Sequence, residues 1–194
     1  MIAGERIRLR PIGEGDLPLL RAWLDDAELM RHWARPMQPV SDGELAADLR
    51  GRFARFDEAG YFIIEAPEFG PIGCIEFERL DPQAGAAEVM ILIGDRRAWG
   101  QGYGADAMVA LLRYLFHARN LHRVALTVLA WNKRAIRSYR KVGFVHEGTL
   151  RDDVYYDGAY HDHLVMGILR PEFDARWGGP TSAPDRPAPP VQDA

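Results

Sequence analysis

The chain has 194 residues and one cysteine, Cys74, which excludes an intramolecular disulfide and disfavours a cysteine-based zinc site. The length suits one domain with its own core, and the longest aliphatic run, residues 89–93, is far shorter than the roughly 20 residues of a membrane span. The net charge of -4 argues against a general nucleic-acid binder, and no apolar segment of signal-peptide length opens the chain. We therefore expect a soluble cytoplasmic protein without nucleic-acid or membrane partners.

The charges are distributed unevenly along the chain. Residues 107–146 contain eight of the 24 basic residues and none of the 28 acidic residues. Such asymmetry can mark a site for a polyanion. An exposed basic helix face would explain it equally well.

The predicted elements of the first half are strands and helices in alternating groups. Apolar and polar residues alternate over residues 5–10, which predicts the first strand. Asp16 can cap a first helix, and Ser41 with Glu44 forms a capping-box pattern that opens a second. Strand-like runs joined by Gly and Pro turns predict an antiparallel meander over 61–65, 71–80 and 86–93.

The second half of the sequence predicts two helices linked by a strand and followed by a hairpin. The predicted elements are a helix over 102–118, a strand over 123–130, a helix over 133–142 ended by Gly143, and a hairpin of 144–156 and 160–168 turning at Asp157-Gly158. Residues 1–177 are therefore predicted to be one α/β domain with a mixed sheet of about seven strands. Residues 178–194 hold five prolines and almost no large apolar side chain, which predicts a flexible tail.

The strongest local signal is the segment Trp-Gly-Gln-Gly-Tyr-Gly at residues 99–104, which we call the glycine loop. It follows a predicted strand and opens a helix, where free N–H groups and the helix dipole favour phosphate. It lacks the Gly-Lys-Ser/Thr ending of a P-loop. Residues 102–107 match the dinucleotide pattern G-x-G-x-x-A, but the acidic residue expected about 20 positions later is missing. A nicotinamide-dependent oxidoreductase is thus disfavoured, and a simple turn stays an alternative.

A second motif lies at residues 132–144. Asn132 and Tyr139 are seven residues apart, about two helical turns, and so share one helix face. Asn132 can equally be an N-cap, and Tyr139 can equally be a core aromatic residue. Spacing alone does not decide between these roles.

Together the two motifs, a Gly-x-Gly-x-Gly loop after a strand and Asn-x-x-Ala-x-x-x-Tyr-x-x-x-Gly-Phe, resemble the GNAT superfamily of acetyl-CoA-dependent N-acetyltransferases. The branch that the chain most resembles is the ribosomal-protein N-terminal (RimJ/RimL-like) type, through Trp-Gly-x-Gly-Tyr in the loop and through Gly158-x-Tyr160-x-Asp162. The resemblance covers roughly residues 5–170. It implies a mostly antiparallel seven-stranded sheet with helices on both faces and a V-shaped splay between the central strands. Trp99 departs from the Arg or Gln that the superfamily often has there.

The resemblance implies acetyl-CoA as the co-substrate and no metal. The acetyl-pantetheine arm would enter the splay, the loop amides would hold the pyrophosphate, and Asn132 would bond the arm. Lys133, Arg134 and Arg137 would suit the adenosine phosphates or, equally, a solvated helix face. The implied cofactor-binding residues are Ile91, Leu92, Ile93, Arg97, Trp99, Gly100, Gln101, Gly102, Tyr103, Gly104, Asn132 and Arg134.

The resemblance also implies direct attack of a neutral amine on the thioester. Tyr139 is the candidate acid and Glu88 the candidate base, acting through water, although Glu88 can equally be an exposed strand carboxylate. The backbone N–H near Ile91 can serve the oxyanion. Asp162, His161 and His163 are weaker candidates for the base.

The acceptor pocket is predicted between residues 27–40 and the final hairpin, with Trp33, Tyr155 and Asp162 as substrate-binding candidates. Trp33 can equally be a core residue. Aromatic rings with acidic neighbours suit a cationic amine, which leaves a protein N-terminus and a small-molecule amine both open. A non-catalytic acyl-CoA-binding sensor is the alternative function, and apolar strand edges are compatible with a homodimer.

Overall fold

The computed structural model describes residues 1–32, 41–53 and 59–179. The strands in these ranges are β1 (Ile2–Ala3), β2 (Arg8–Pro11), β3 (Gly60–Ala66), β4 (Gly70–Asp81), β5 (Ala86–Ile93), β6 (Arg123–Leu129), β7 (Val145–Tyr156) and β8 (Ala159–Leu169). The α-helices are α1 (Leu17–Leu24), α2 (Ala27–Met30), α3 (Asp42–Phe53), α4 (Tyr103–Arg113), α5 (Lys133–Val142) and α6 (Arg170–Trp177). Trp33 and the predicted tail beyond residue 179 lie outside the described residues.

All these strands form one mixed sheet in the order β1-β2-β3-β4-β5-β6-β8-β7. Every neighbouring pair is antiparallel except β5 and β6, which run parallel. The predicted α/β class and mixed sheet are confirmed. The predicted number of seven strands is wrong, because Ile2 and Ala3 add a two-residue edge strand opposite Leu9 and Arg8.

The first predicted strand begins later than the alternation indicated. The carboxylate of Asp106 accepts hydrogen bonds from the backbone N–H of Glu5 at 2.9 Å and of Arg6 at 2.7 Å. The Gly4 N–H donates to the Ile7 carbonyl, which closes a turn over these residues. A contact about 100 residues away in sequence therefore replaces the start of the strand.

A predicted side-chain capping bond forms at the start of α3 but not at the start of α1. Ser41 and Glu44 form the predicted capping box at α3, with N–H···O distances of 3.2 and 2.7 Å. Asp16 is at the N-cap of α1 as predicted, but its side chain makes no capping bond. Its carboxylate instead binds the Arg10 guanidinium at 2.6 and 2.7 Å and the Gly13 N–H at 2.8 Å. The short helices α2 and α6 were not predicted from the sequence.

The later elements match their local signals closely. Helix α5 has its predicted bounds and ends at Gly143, which has φ of 122°. Asp157 and Gly158 both have positive φ, as a tight hairpin turn requires. The predicted helix over 102–118 is instead α4 followed by a π-helical turn (Tyr114–Ala118), in which the Arg119 N–H bonds the Tyr114 carbonyl.

Two apolar cores lie on opposite faces of the sheet. The first packs the sheet against α4, α5 and α6, with Phe77, Tyr114 and Phe173 fully buried. The second packs β3 and β5 against α1 and α2 around Trp23 and Leu92. Because alternate residues of a strand face opposite sides, β5 contributes to both cores.

Candidate acetyl-CoA site

The central feature of the site is a gap between β5 and β6. The two strands pair at only three positions, Ala86 with Arg123, Ala87 with Val124, and Glu88 with Ala125. Beyond Glu88, β5 stays paired with β4 as far as Ile93, and β6 stays paired with β8 as far as Leu129. The edges that face each other are therefore unpaired, and an extended ligand chain can enter between them.

The glycine loop lies where β5 leads into α4. Gly100 and Gly102 have φ of 74° and 91°, and a Cβ atom on either would meet open space. Gly102 is the N-cap of α4, and its carbonyl accepts the N–H of Asp106. The N–H groups of Tyr103, Gly104 and Ala105 have no acceptor among the described residues. The loop thus offers free donors on an open surface at the positive end of the helix dipole.

Two predicted cofactor residues of the loop use their side chains to anchor it. The Tyr103 ring is buried, its hydroxyl donates to Glu68, and Arg6 lies 4.1 Å from the ring centroid. The Gln101 side-chain amide donates to the Arg97 carbonyl, and the Gln101 backbone carbonyl accepts from Arg6 at 2.9 Å. The backbone N–H groups of these two residues, and not their side chains, remain for a ligand.

Arg97 carries less free charge than the sequence suggested. It forms an ion pair with Asp95 at 2.7 Å, and the Arg97 hydrogen bond lowers the pKa of that carboxyl. The guanidinium also lies 5.4 Å from the centroid of Phe69. Asp95 therefore offsets the charge that Arg97 was expected to supply to phosphate.

Trp99 and Arg134, both predicted cofactor residues, contact each other. The Trp99 indole N–H donates to the Ile93 carbonyl at 2.7 Å, and the Arg134 guanidinium carbon lies 3.6 Å from the centroid of the indole. His32 meets the same indole edge-on, with ring centroids 6.3 Å apart. Burial and the nearby charge of Arg134 lower the pKa of His32. Nothing in the sequence pattern indicated this cluster.

Asn132 is the N-cap of α5, and Tyr139 lies in the last turn of the same helix. The Asn132 side-chain carbonyl accepts the Ala135 N–H at 3.1 Å, so the residue is an N-cap, and its amide NH₂ donates to no described residue. Tyr139 packs against the first core, edge-to-face with Phe144. Burial raises the pKa of Tyr139 to about 12, and its hydroxyl has no partner among the described residues.

Glu88 lies at the last paired position before the gap opens. Arg79 holds its carboxylate through contacts of 3.0 and 3.1 Å. Alternation along β5 places Glu88 on the face of Leu92, in the second core, whereas Ile91, Ile93 and Tyr139 pack against the first. The two predicted catalytic side chains therefore approach the gap from opposite faces of the sheet.

The predicted acceptor residues that the structure describes lie on the β7–β8 hairpin. Tyr155 is exposed and packs edge-to-face with Tyr160 at 5.0 Å. Asp162 accepts the N–H of Asp152 at 2.9 Å and thereby supports a bulge, where Asp152 has φ of 52°.

Sequence reasoning missed two features beside these residues. His163 Nδ1 lies 2.7 Å from the Asp153 carboxylate, and Trp131 packs edge-on against His161 with centroids 4.3 Å apart. Only the adjacency of Asp152, Asp153 and the hairpin histidines hinted at the first of these contacts. The hairpin therefore brings tyrosines, histidines and carboxylates to one end of the sheet.

The splayed sheet and its glycine loop match a known family. Residues 6–145 match the family model described as Acetyltransferase (GNAT) domain. The chain belongs to the GNAT acetyltransferase family. It is an acetyl-CoA-dependent N-acetyltransferase, which confirms the predicted enzyme class and co-substrate.

Curated relatives match most of the chain. The spermidine N(1)-acetyltransferase of Vibrio cholerae serotype O1 is 26% identical over 168 residues, covering 87% of this chain and 95% of that protein. The [ribosomal protein uS5]-alanine N-acetyltransferase of Escherichia coli K12 is 24% identical over 152 residues, covering 74% of this chain and 78% of that protein. The RimJ/RimL-like assignment is thus only partly supported.

Solved structures show the same fold. The crystal structure of spermidine N-acetyltransferase from Vibrio cholerae in complex with CoA and spermine superposes with a TM-score of 0.79 at 27% identity. The match covers 87% of this chain and 98% of that one. Among the described residues we find no cluster of three or more side chains suited to a metal ion. No helix in the described ranges is long and apolar enough to span a membrane.

The glycine loop gives a direct test of cofactor binding. Gly102→Val places a β-branched side chain at φ of 91°, and we expect the dissociation constant of CoA to rise at least about tenfold, measured by calorimetry. Gly178→Val is the matched control, because Gly178 has φ of 81°, an equally open Cβ position, and a place after α6. Unchanged CoA binding by Gly102→Val would exclude the loop as the phosphate site.

Proposed function

We propose that the protein acetylates a primary amine of a small polycationic acceptor by direct attack on acetyl-CoA. The observation that carries the proposal is the gap between β5 and β6, which ends at an open glycine loop. The similarity to spermidine N-acetyltransferases along nearly the whole chain supports a polyamine as the acceptor.

The charge of the hairpin also supports a cationic acceptor. Asp152, Asp153, Asp157 and Asp162 lie on β7, β8 and their turn, and none of them forms an ion pair with a described Lys or Arg. Exposed Tyr155 and Tyr160 stand beside them. Carboxylates without a Lys or Arg partner, beside aromatic rings, attract ammonium groups through charge and cation–π contacts.

A protein N-terminus is the second candidate acceptor. The ribosomal-protein alanine N-acetyltransferase matches about three-quarters of the chain, and the loop and hairpin motifs of that branch are present. A peptide α-amine has a pKa of about 8, so it needs less help to lose its proton than an alkyl amine with a pKa near that of lysine, about 10.4. The two acceptors therefore place different demands on a base.

Backbone groups of the gap would hold the reacting thioester. Ile91 lies beyond the last pair with β6, so its N–H is a candidate donor to the developing oxyanion. The free NH₂ of Asn132 stands at the end of β6 and is a candidate donor to the pantetheine arm. The loop amides of Tyr103 and Gly104 would bind the pyrophosphate.

Tyr139 is the proposed acid. Its pKa of about 12 keeps the hydroxyl protonated at every physiological pH, so it is always a donor. A thiol has a pKa of about 8.5, so proton transfer to the thiolate by itself is unfavourable. The step balances when the proton released by the tetrahedral nitrogen returns to the Tyr139 oxygen as the C–S bond breaks. The sulfur then gains the phenol proton, the nitrogen gives one up, and Tyr139 ends the step neutral.

Glu88 is the proposed base, which takes a proton from the acceptor ammonium through water. Its ion pair with Arg79 at 3.0 Å fixes where the carboxylate lies. His163 is the competing base, because Asp153 can hold its Nδ1–H and leave Nε2 free. His163 acts as the base only if Glu88 is not needed for turnover.

The acceptor is tested by thiol release from acetyl-CoA with a panel of amines. We expect spermidine and spermine to give turnover, and a peptide beginning with alanine to give less than about a tenth of that kcat/KM. Turnover with the peptide alone would assign the protein to N-terminal acetylation. CoA binding without thiol release by any amine would indicate a sensor module.

Tyr139→Phe tests the acid. The ring keeps its contact with Phe144, so we expect CoA affinity to hold while kcat at saturating acetyl-CoA falls about 100-fold. Tyr114→Phe is the matched control, because it removes another buried hydroxyl of the first core, one that accepts from Arg119. Wild-type kcat in Tyr139→Phe would remove the acid role.

Glu88→Gln tests the base through the pH–rate profile. A base is lost as the pH falls below its pKa, so we expect the acidic limb of kcat to disappear and the remaining rate to fall about 100-fold. Glu78→Gln, directly across the β4–β5 ladder, is the control. A profile that keeps its acidic limb in Glu88→Gln and loses it in His163→Gln would transfer the role to the histidine.

A further inference from the structure

Trp99 connects three elements that border the gap. It belongs to the glycine loop, its indole N–H bonds the carbonyl of Ile93 at the end of β5, and its ring face carries Arg134 from the first turn of α5. The indole also packs against the second core, which fixes its orientation. The position of Arg134 is therefore set by a residue of the loop and not by its own helix alone.

The first turn of α5 carries positive charge, which is unfavourable at a helix N-terminus. Lys133 and Arg134 occupy the first turn, where the dipole is already positive, and the first turn has no acidic residue. Arg134 forms no ion pair with a described residue. Glu28, whose charge acts on Arg134, is itself bonded to Arg96. An anion at this end of the helix would relieve the repulsion.

We propose that Trp99 is a positioning residue that holds the Arg134 guanidinium against the pyrophosphate of CoA, beside the loop amides. A guanidinium stacked at 3.6 Å on an indole keeps its planar N–H edge free, and that edge matches two phosphate oxygens. The inference rests on the proposed placement of CoA. It explains why this chain carries Trp at a loop position where Arg or Gln is common: the cation comes from α5 instead.

The indole N–H has a second consequence for the cofactor. The Ile93 carbonyl already accepts this N–H and keeps one lone pair for the pantetheine arm. Strand-like pairing of the arm with β5 therefore relies mainly on Ile91.

A double-mutant cycle of Trp99→Leu and Arg134→Met tests the inference, with three acetyl donors. With acetyl-CoA and acetyl-3′-dephospho-CoA, we expect each single variant to raise KM about tenfold and to leave kcat within about twofold. The double variant should be no worse than the poorer single variant, because the two residues act as one unit. With acetyl-pantetheine, which lacks all phosphates, kcat/KM should stay at the wild-type value.

Other results would overturn the inference. Additive losses in the cycle would mean that Trp99 does not act through Arg134. A loss that vanishes with acetyl-3′-dephospho-CoA would place Arg134 on the 3′-phosphate, and an equal loss with acetyl-pantetheine would make the effect structural. Wild-type enzyme without thiol release from acetyl-CoA would instead refute the proposed function, so the two failures are distinguishable.

Two further variants and a control variant separate an effect on stacking from an effect on folding. Trp99→Phe keeps an aromatic face and should restore most of the affinity lost in Trp99→Leu, whereas equal losses in both would contradict a stacking role. Arg134→Lys keeps the positive charge but lacks the planar guanidinium, so its affinity for acetyl-CoA should remain low. Arg140→Met, in the last turn of α5, should match the wild type. If Trp99→Leu lowers Tm, Arg134→Met and Trp99→Phe still complete the test.

Discussion

The early end of the parallel ladder between β5 and β6 is the constraint on which the rest of the site depends. Each strand is held along its outer edge by an antiparallel partner, β4 on one side and β8 on the other. The apolar side chains of both strands are buried beneath helices, so neither strand can swing across to close the gap. Backbone groups that would cost free energy if buried unpaired are thereby kept for a ligand.

The helices that follow these two strands begin at the same end of the gap. Helix α4 follows β5 through the glycine loop, and α5 follows β6 through Asn132. Because β5 and β6 are parallel, both helix N-termini and their positive dipole ends meet there. The acid-free residues 107–146 cover most of α4 and all of α5, so the net charge of -4 is an average over this basic segment and an acidic remainder.

Short sequence patterns correctly predicted those elements that are stabilised by contacts between neighbouring residues. The capping box at Ser41, the bounds of α5 and the Asp157-Gly158 turn depend on a few neighbouring residues, and the structure confirms each. Asp16 shows the limit of capping rules, because the carboxylate that could cap α1 is instead bound by Arg10 of β2. Helix α2 is too short for a periodic pattern to reveal.

Residue type and spacing were enough to predict the glycine loop at the strand-to-helix junction, the turn at Asp157-Gly158 and the segregation of charge, because each depends on neighbours in the chain. The side chains that remain available for a ligand depend instead on contacts formed when the chain folds. Asp106 holds the backbone at Glu5, Asp95 offsets Arg97, Arg79 holds Glu88, and Trp99 carries Arg134. The pairs Asp106–Glu5 and Trp99–Arg134 join residues far apart in the chain. Such contacts depend on how strands and helices are arranged in space, which no local periodicity encodes.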